Sequence, residues 1–360
     1  MTVRPPAADS QTSTLQSSAT RAPKSARRDA DVGLPRPRVY LTALLLFATM
    51  TAGLEAYWRS RGCRPNVPDS TDLWSYHWSR VGGDDPQLVV AIGTSRIRTA
   101  LRPEVLRDSL PGYRFVQLGI NGPSNSLGLL DEISRIPRFR GLVLCDLLPP
   151  TMDPEQGQEQ VALAHRRVTK VQTLETYLRA LVCDRFAVLN PAVTLRKCLA
   201  LHTEREAKEE PLRLLVHADR ALEVGYSSPE SMRSQREVRL RDYAGRYQTA
   251  RHYKDIADFK QSVASVAESV ARIRQNGGQV IFLRLPSSGA RHALEEAEFS
   301  SKLYFDAFAS ATAAPWFGPS DLAPEGDLDC PDESHLSADA ARLWTIRLFE
   351  ALRVRGLLPN

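Results

Sequence analysis

Leu88-Val89-Val90-Ala91-Ile92-Gly93-Thr94-Ser95 is a run of five apolar residues that stops at a Gly and leads into a Ser. A continuous apolar run of this length fits a strand buried on both faces, as in parallel sheets. A Ser just past the end of such a strand stands at the sheet rim, where open α/β sheets bind ligands. Working outward, Pro103 to Ser109 reads as a helix with Pro at its first position, closed by Pro111-Gly112. Arg114 to Leu118 reads as a strand and Asn125 to Ile136 as a helix, and Gly141 to Leu148, ended by Pro149-Pro150, is a second run fit for a doubly buried strand. Strand and helix alternate from Gln87 to Pro150, the pattern of a parallel α/β sheet.

From Thr151 to about Tyr253 the chain is Arg- and Glu-rich with helical periodicity, for example at Val171 to Leu181 and Pro211 to Leu222, and no strand stands out. This stretch, about 151–253, reads as a helical insertion with a solvated charged face. The sheet resumes after an amphipathic helix from Asp255 to Gln275, closed by Asn276-Gly277-Gly278, with a strand from Gln279 to Leu285. Pro315 to Gly318 reads as a short fifth strand, and Ser337 as the cap of a final helix to about Arg353.

The chain of 360 residues carries a net charge of +5. Arg4, Arg21, Lys24, Arg27, Arg28, Arg36 and Arg38 stand against only Asp9, Asp29 and Asp31 before the first apolar stretch, so the rest is close to neutral. That distribution argues against nucleic acid as a partner, which needs a basic surface on the folded domain. The five cysteines show neither CxxC pairs nor metal-ligand spacing with His, and no metal or other cofactor is called for.

Residues 1–38 are rich in Ser, Thr, Ala, Pro and Arg and read as a disordered tail. Val39 to Leu54 has no charge, and with only Glu55 interrupting it the run reaches Trp58, about 20 residues, the length of a membrane-spanning helix. Tyr40, Tyr57 and Trp58 sit at its ends, where amphipathic aromatics favour the interface. The Arg-rich tail predicts a cytoplasmic N-terminus, and with it a single-pass inner-membrane protein with residues 87–360 outside the cytoplasm beyond a connector at 59–86. A cleaved leader and a buried core helix are competing readings, and Arg59, Arg61 and Arg64 leave the opposite orientation open.

The second informative segment is Asp332-Glu333-Ser334-His335, an acid three residues before a His. A Ser hydroxyl becomes a nucleophile when a His takes its proton, and the His needs a carboxylate to fix its tautomer. Gly93-Thr94-Ser95, Gly119-Ile120-Asn121-Gly122 and Asp332 to His335, in that order, resemble the blocks of the SGNH (GDSL-like) hydrolase superfamily. The resemblance spans Gln87 to the C-terminus. It implies a flavodoxin-like three-layer fold with a mostly parallel sheet, Ser95 as nucleophile, His335 as base and Asp332 as its orienter.

The Ser95 and Gly122 amides, with Asn121, are the expected oxyanion donors. Where the superfamily places a further donor Asn after the third strand, this chain has Leu147-Leu148-Pro149-Pro150. Arg96, Arg98 and Arg284 are candidate contacts for an anionic substrate, Arg96 and Arg284 foremost. The anchor resembles that of bacterial envelope members of the superfamily. The implied function is a membrane-anchored esterase or O-acyltransferase acting on acyl, chiefly acetyl, esters of an envelope glycan or a small ester. A second reading is a non-catalytic binding or assembly protein of a polysaccharide or secretion complex that docks through the insertion.

Overall fold

A computed structural model of the chain describes residues 37–122, 124–148, 157–193, 212–226, 228–249, 263–323 and 328–358. The chain divides into two units, residues 1–50 and 51–360. Of the first unit, 37–50 are described and are wholly helical. They belong to a continuous 24-residue helix, Pro37–Ser60, long and apolar enough to cross a membrane. None of its residues is buried, unlike a core helix.

The second unit is built on five parallel strands: β1 (Leu88–Ile92), β2 (Arg114–Gln117), β3 (Leu142–Asp146), β6 (Gln279–Leu283) and β7 (Trp316–Phe317). Their order is β2-β1-β3-β6-β7. With the intervening hairpin left aside this is the 2-1-3-4-5 order of flavodoxin-like sheets, whose switch point lies between β1 and β3. Period-two alternation divides each central strand between two cores. Leu88, Val90, Ile92, Val143, Cys145, Val280 and Phe282 face one core, which helices Ser126–Ser134 and Ala264–Gln275 cover with Leu129, Ile133, Val270 and Ile273. Val89, Ala91, Leu144, Ile281 and Leu283 face the other, covered by helices Ser95–Ala100, Pro103–Ser109 and Ala338–Val354 through Ile97, Leu106, Trp344 and Leu348. The fold is therefore α/β with helices on both sides of the sheet, as the sequence predicts, and Ser337 does cap the last helix by accepting from Ala340 N.

One expectation fails. Of the expected helix from Pro211 to Leu222, Pro211 lies outside the described residues and 212–222 are not helical. Leu212–Val216 (β4) and Leu222–Tyr226 (β5) form an antiparallel hairpin instead, so the insertion is not purely helical. The connector before β1 explains the strand: Asn66 and Val67 run beside β4, with Val67 N donating to Val216 O at 2.9 Å and Asn66 bonding Leu214 and Val216. Beside the hairpin, helices Lys170–Cys183 and Pro229–Thr249 account for the helical periodicity. Of the expected helix at 255–275, residues 264–275 are helical, while 255–262 lie outside the described residues, as do 1–36 of the tail and Pro149-Pro150.

Candidate active site

The nucleophile candidate is placed by the turn after β1. A Cβ on Gly93, at φ +151°, would meet Asp146 Cβ at 2.4 Å, so only Gly lets β1 and β3 end side by side here. Thr94 sets the turn. Its N–H and Oγ1 both donate to buried Asp146 Oδ2, at 3.2 and 2.7 Å, and its Oγ1 accepts from Arg96 N, starting the short helix at Ser95. As that helix's first residue, Ser95 has an amide with no intrahelical acceptor. Asp146, which sequence reasoning passed over, is the post under this turn. Burial raises its pKa, against the opposing pull of Arg96 and Thr94.

The base candidate is placed by a different local device. Asp332 Oδ1 accepts from Ser334 N at 3.0 Å and His335 N at 2.7 Å, and Glu333 sits in the left-handed region at φ +63°. This tight turn directs both side chains the same way, at the strain cost that non-Gly residues bear in that region. The other carboxylate oxygen, Oδ2, lies 2.8 Å from His335 Nδ1, and His335 Nε2 lies 2.9 Å from Ser95 Oγ. The structure thus joins Ser95, His335 and Asp332 in one hydrogen-bonded line across 240 residues of sequence. With Nδ1–H donating to Asp332, Nε2 is free to accept the Ser95 proton.

A cavity of about 220 Å³ opens onto this line. Thr94, Ser95, Asn121, Gly122, Ser334 and His335 form its floor. The insertion forms the remaining wall, with Leu214, Leu222 and Val224 from the hairpin and Arg239, Asp242 and Tyr243 from helix Pro229–Thr249. Gly122 lines the cavity beside the nucleophile, and a Cβ there would meet nothing within 4 Å, so the backbone at this position is open to a ligand. Arg98 Nη1 donates to Asn121 Oδ1 at 3.0 Å, which leaves the NH2 end of Asn121 available to a ligand.

The three arginines do not enter the cavity. Arg96 is buried, paired with Glu295 at 3.1 Å and donating to the Leu285 and Pro286 carbonyls. Arg284 is buried against Glu296 at 2.6 Å, and Arg98 against Asp69 at 2.6 Å. Their partners come from helix Gly289–Glu298 and the connector, outside the elements that carry the arginines. Buried guanidinium groups already matched to carboxylates are structural cross-links, so the reading of Arg96 and Arg284 as substrate contacts is corrected.

Arg239 is the residue that sequence reasoning missed. Its Nη1 lies 2.7 Å from Asp332 Oδ2 and 2.5 Å from His335 Nδ1. Arg236 Nε donates to Pro331 O at 2.6 Å, and the Arg291 guanidinium stacks 3.5 Å from the Tyr243 ring centroid, so three points fasten this helix over the acid and base. Burial lowers the pKa of His335 to about 4; Asp332 opposes this, and Arg239 and Arg291 add to it. Asp332 is held far below the ordinary carboxylate range, because the hydrogen bond and charge of His335 and the charge of Arg239 outweigh its burial.

The neutral imidazole is the form that can act as base. It is present in full well above pH 4 and is lost as pH falls through about 4. Arg239→Met removes a cation that disfavours the imidazolium, so the acid limb of kcat/KM against pH is expected to move upward, toward the ordinary His value of 6.5. An unmoved limb in the folded variant would show that Arg239 does not set this pKa.

No protein-family model and no curated protein matches the sequence. Among solved structures, a crystal structure of TesA is similar at a TM-score of 0.34 and 13% identity, covering 76% of this chain and 100% of that one.

Proposed function

We propose that the chain is a serine esterase or O-acyltransferase of the SGNH type, held to a membrane by helix Pro37–Ser60, that removes or transfers an acyl group, chiefly acetyl, on an envelope glycan. The observation that carries the reading is the line from Asp332 through His335 to Ser95, open to a cavity at the nucleophile end. Ser95 Oγ attacks the ester carbonyl carbon while its proton passes to His335 Nε2. Asp332 holds Nδ1–H and stabilises the imidazolium. The Ser95 and Gly122 amides and the Asn121 NH2 stabilise the oxyanion. The imidazolium then protonates the departing alkoxide, leaving an acyl group on Ser95. Water or a sugar hydroxyl, deprotonated by His335, attacks that acyl-enzyme and regenerates Ser95. A cavity this small, with Leu222 and Val224 in its wall, suits a short acyl group better than a long chain.

The test is a rapid-mixing experiment with p-nitrophenyl acetate and the full chain in detergent. A burst of nitrophenolate equal to the enzyme concentration, followed by slower turnover, is expected of an acyl-enzyme. Folded protein that gives neither burst nor turnover would favour the binding or assembly reading.

A further inference from the structure

Helix Lys170–Cys183 is amphipathic in the inverted sense. It buries Ala180 and Cys183 against Val67, Val216 and Leu222. Its outward side carries Val171, Leu174, Leu178, Leu181 and Val182, whose exposures run from 36% to 75%. Spaced at i, i+3, i+7, i+10 and i+11, these five fall on one stripe roughly 100° wide, the geometry that ordinarily faces a core. The turn after the helix adds exposed Phe186 and Leu189.

The cover for this stripe is set by where the segment is tied. Ala187 N and Val188 N both donate to the Glu55 carboxylate at 2.9 Å, and Arg59 Nη2 donates to Arg185 O at 2.9 Å. Glu55 is the residue that ends the uncharged run from Val39 to Leu54. The turn after the amphipathic helix is therefore bonded to the point at which the apolar helix leaves a bilayer. Tyr57 and Trp58, one turn at most beyond it, are the side-chain types that sit at headgroup level. Lys170, Arg179 and Arg185 are exposed on the same segment against one exposed carboxylate, Glu175, a net positive balance that suits anionic headgroups.

We infer that helix Lys170–Cys183 and the Phe186–Leu189 turn lie on the lipid surface as an in-plane second contact, beside the exit of the spanning helix. The inference rests on the membrane-anchored reading above. Its consequence is positional: Leu222 packs with Ala180 and Cys183 and also lines the cavity, so the reaction site is held one packed layer from the bilayer surface. The substrate is then met at the membrane rather than at the end of a free tether.

The experiment uses the full chain reconstituted in vesicles of phosphatidylcholine and phosphatidylglycerol, with Cys63 and Cys198 replaced by Ser. A nitrobenzoxadiazole label is placed at Leu178→Cys or at Phe47→Cys and quenched by lipids brominated near the headgroup or deep in the acyl chain. The Phe47 label is expected to be quenched most by deep bromine. The Leu178 label is expected to lose about half of its emission to shallow bromine and less to deep bromine, since in-plane helices sink about 5–10 Å into the boundary. A quenched Phe47 label with an unquenched Leu178 label overturns the inference and leaves the span standing. If neither is quenched, the membrane reading fails and takes the inference with it. A Leu178 label that responds to protein density but not to bromine assigns the stripe to a second copy of the chain, which also overturns the inference.

Discussion

Ser95→Ala and His335→Ala are each expected to lower kcat for ester hydrolysis by about a millionfold, and the double variant to lose no more than either alone. The reason is geometric. Ser95 Oγ and His335 Nε2, 2.9 Å apart, act on one proton, so removing either atom removes the same step. The fold should survive both changes, because Ser95 makes no hydrogen bond that holds the β1–β3 junction; Thr94 and Asp146 do that. Steady-state hydrolysis of p-nitrophenyl acetate, with thermal unfolding as the control for structure, measures the effect. Additive losses in the double variant would mean that the two residues serve separate steps.

Asp332→Asn is expected to cost about ten-thousandfold in kcat, through the tautomer rather than through the turn. Asp332 Oδ1 accepts two backbone N–H groups, from Ser334 and His335, so an Asn keeps its single oxygen there. Its NH2 is then forced toward His335 Nδ1 and Arg239, where both neighbours require an acceptor. His335 satisfies that donor only by moving its proton to Nε2, which points it at Ser95 and leaves no base. Nitrogen chemical shifts of His335 should show Nδ1–H in the parent chain and Nε2–H in the variant. A variant with near-parental kcat would remove Asp332 from the machinery.

How much of this was legible in the sequence depends on whether the deciding contact is local. The β1 run, the Ser after it and the Asp332 to His335 spacing are local signals, and the structure brings them together. The hairpin is not legible locally because its strands are short and Leu212, Leu214, Leu215, Val216 and Leu222 satisfy a helical period almost as well as an alternating one. The usual turn signal is also missing, since Arg220 and not Gly takes the left-handed position, at φ +65°. Its guanidinium is matched to Asp69 and Gln117, contacts across more than 100 residues that no local pattern announces.

The same reason accounts for the arginines. Arg96 and Arg284 look available beside a strand end until Glu295 and Glu296 are seen to meet them. Arg239 looks like one charge among many on a polar helix until the insertion folds back over Asp332. Charged side chains are assigned by their long-range partners, and those appear only with the fold.

The central claim is that Ser95 is an activated nucleophile. The most direct measurement is reaction of the folded full chain with a fluorophosphonate, then peptide mapping of the adduct. The account predicts one adduct per chain, on Ser95, formed at neutral pH and suppressed in His335→Ala. Absence of labelling in folded protein, or labelling at another residue that persists in Ser95→Ala, would contradict it.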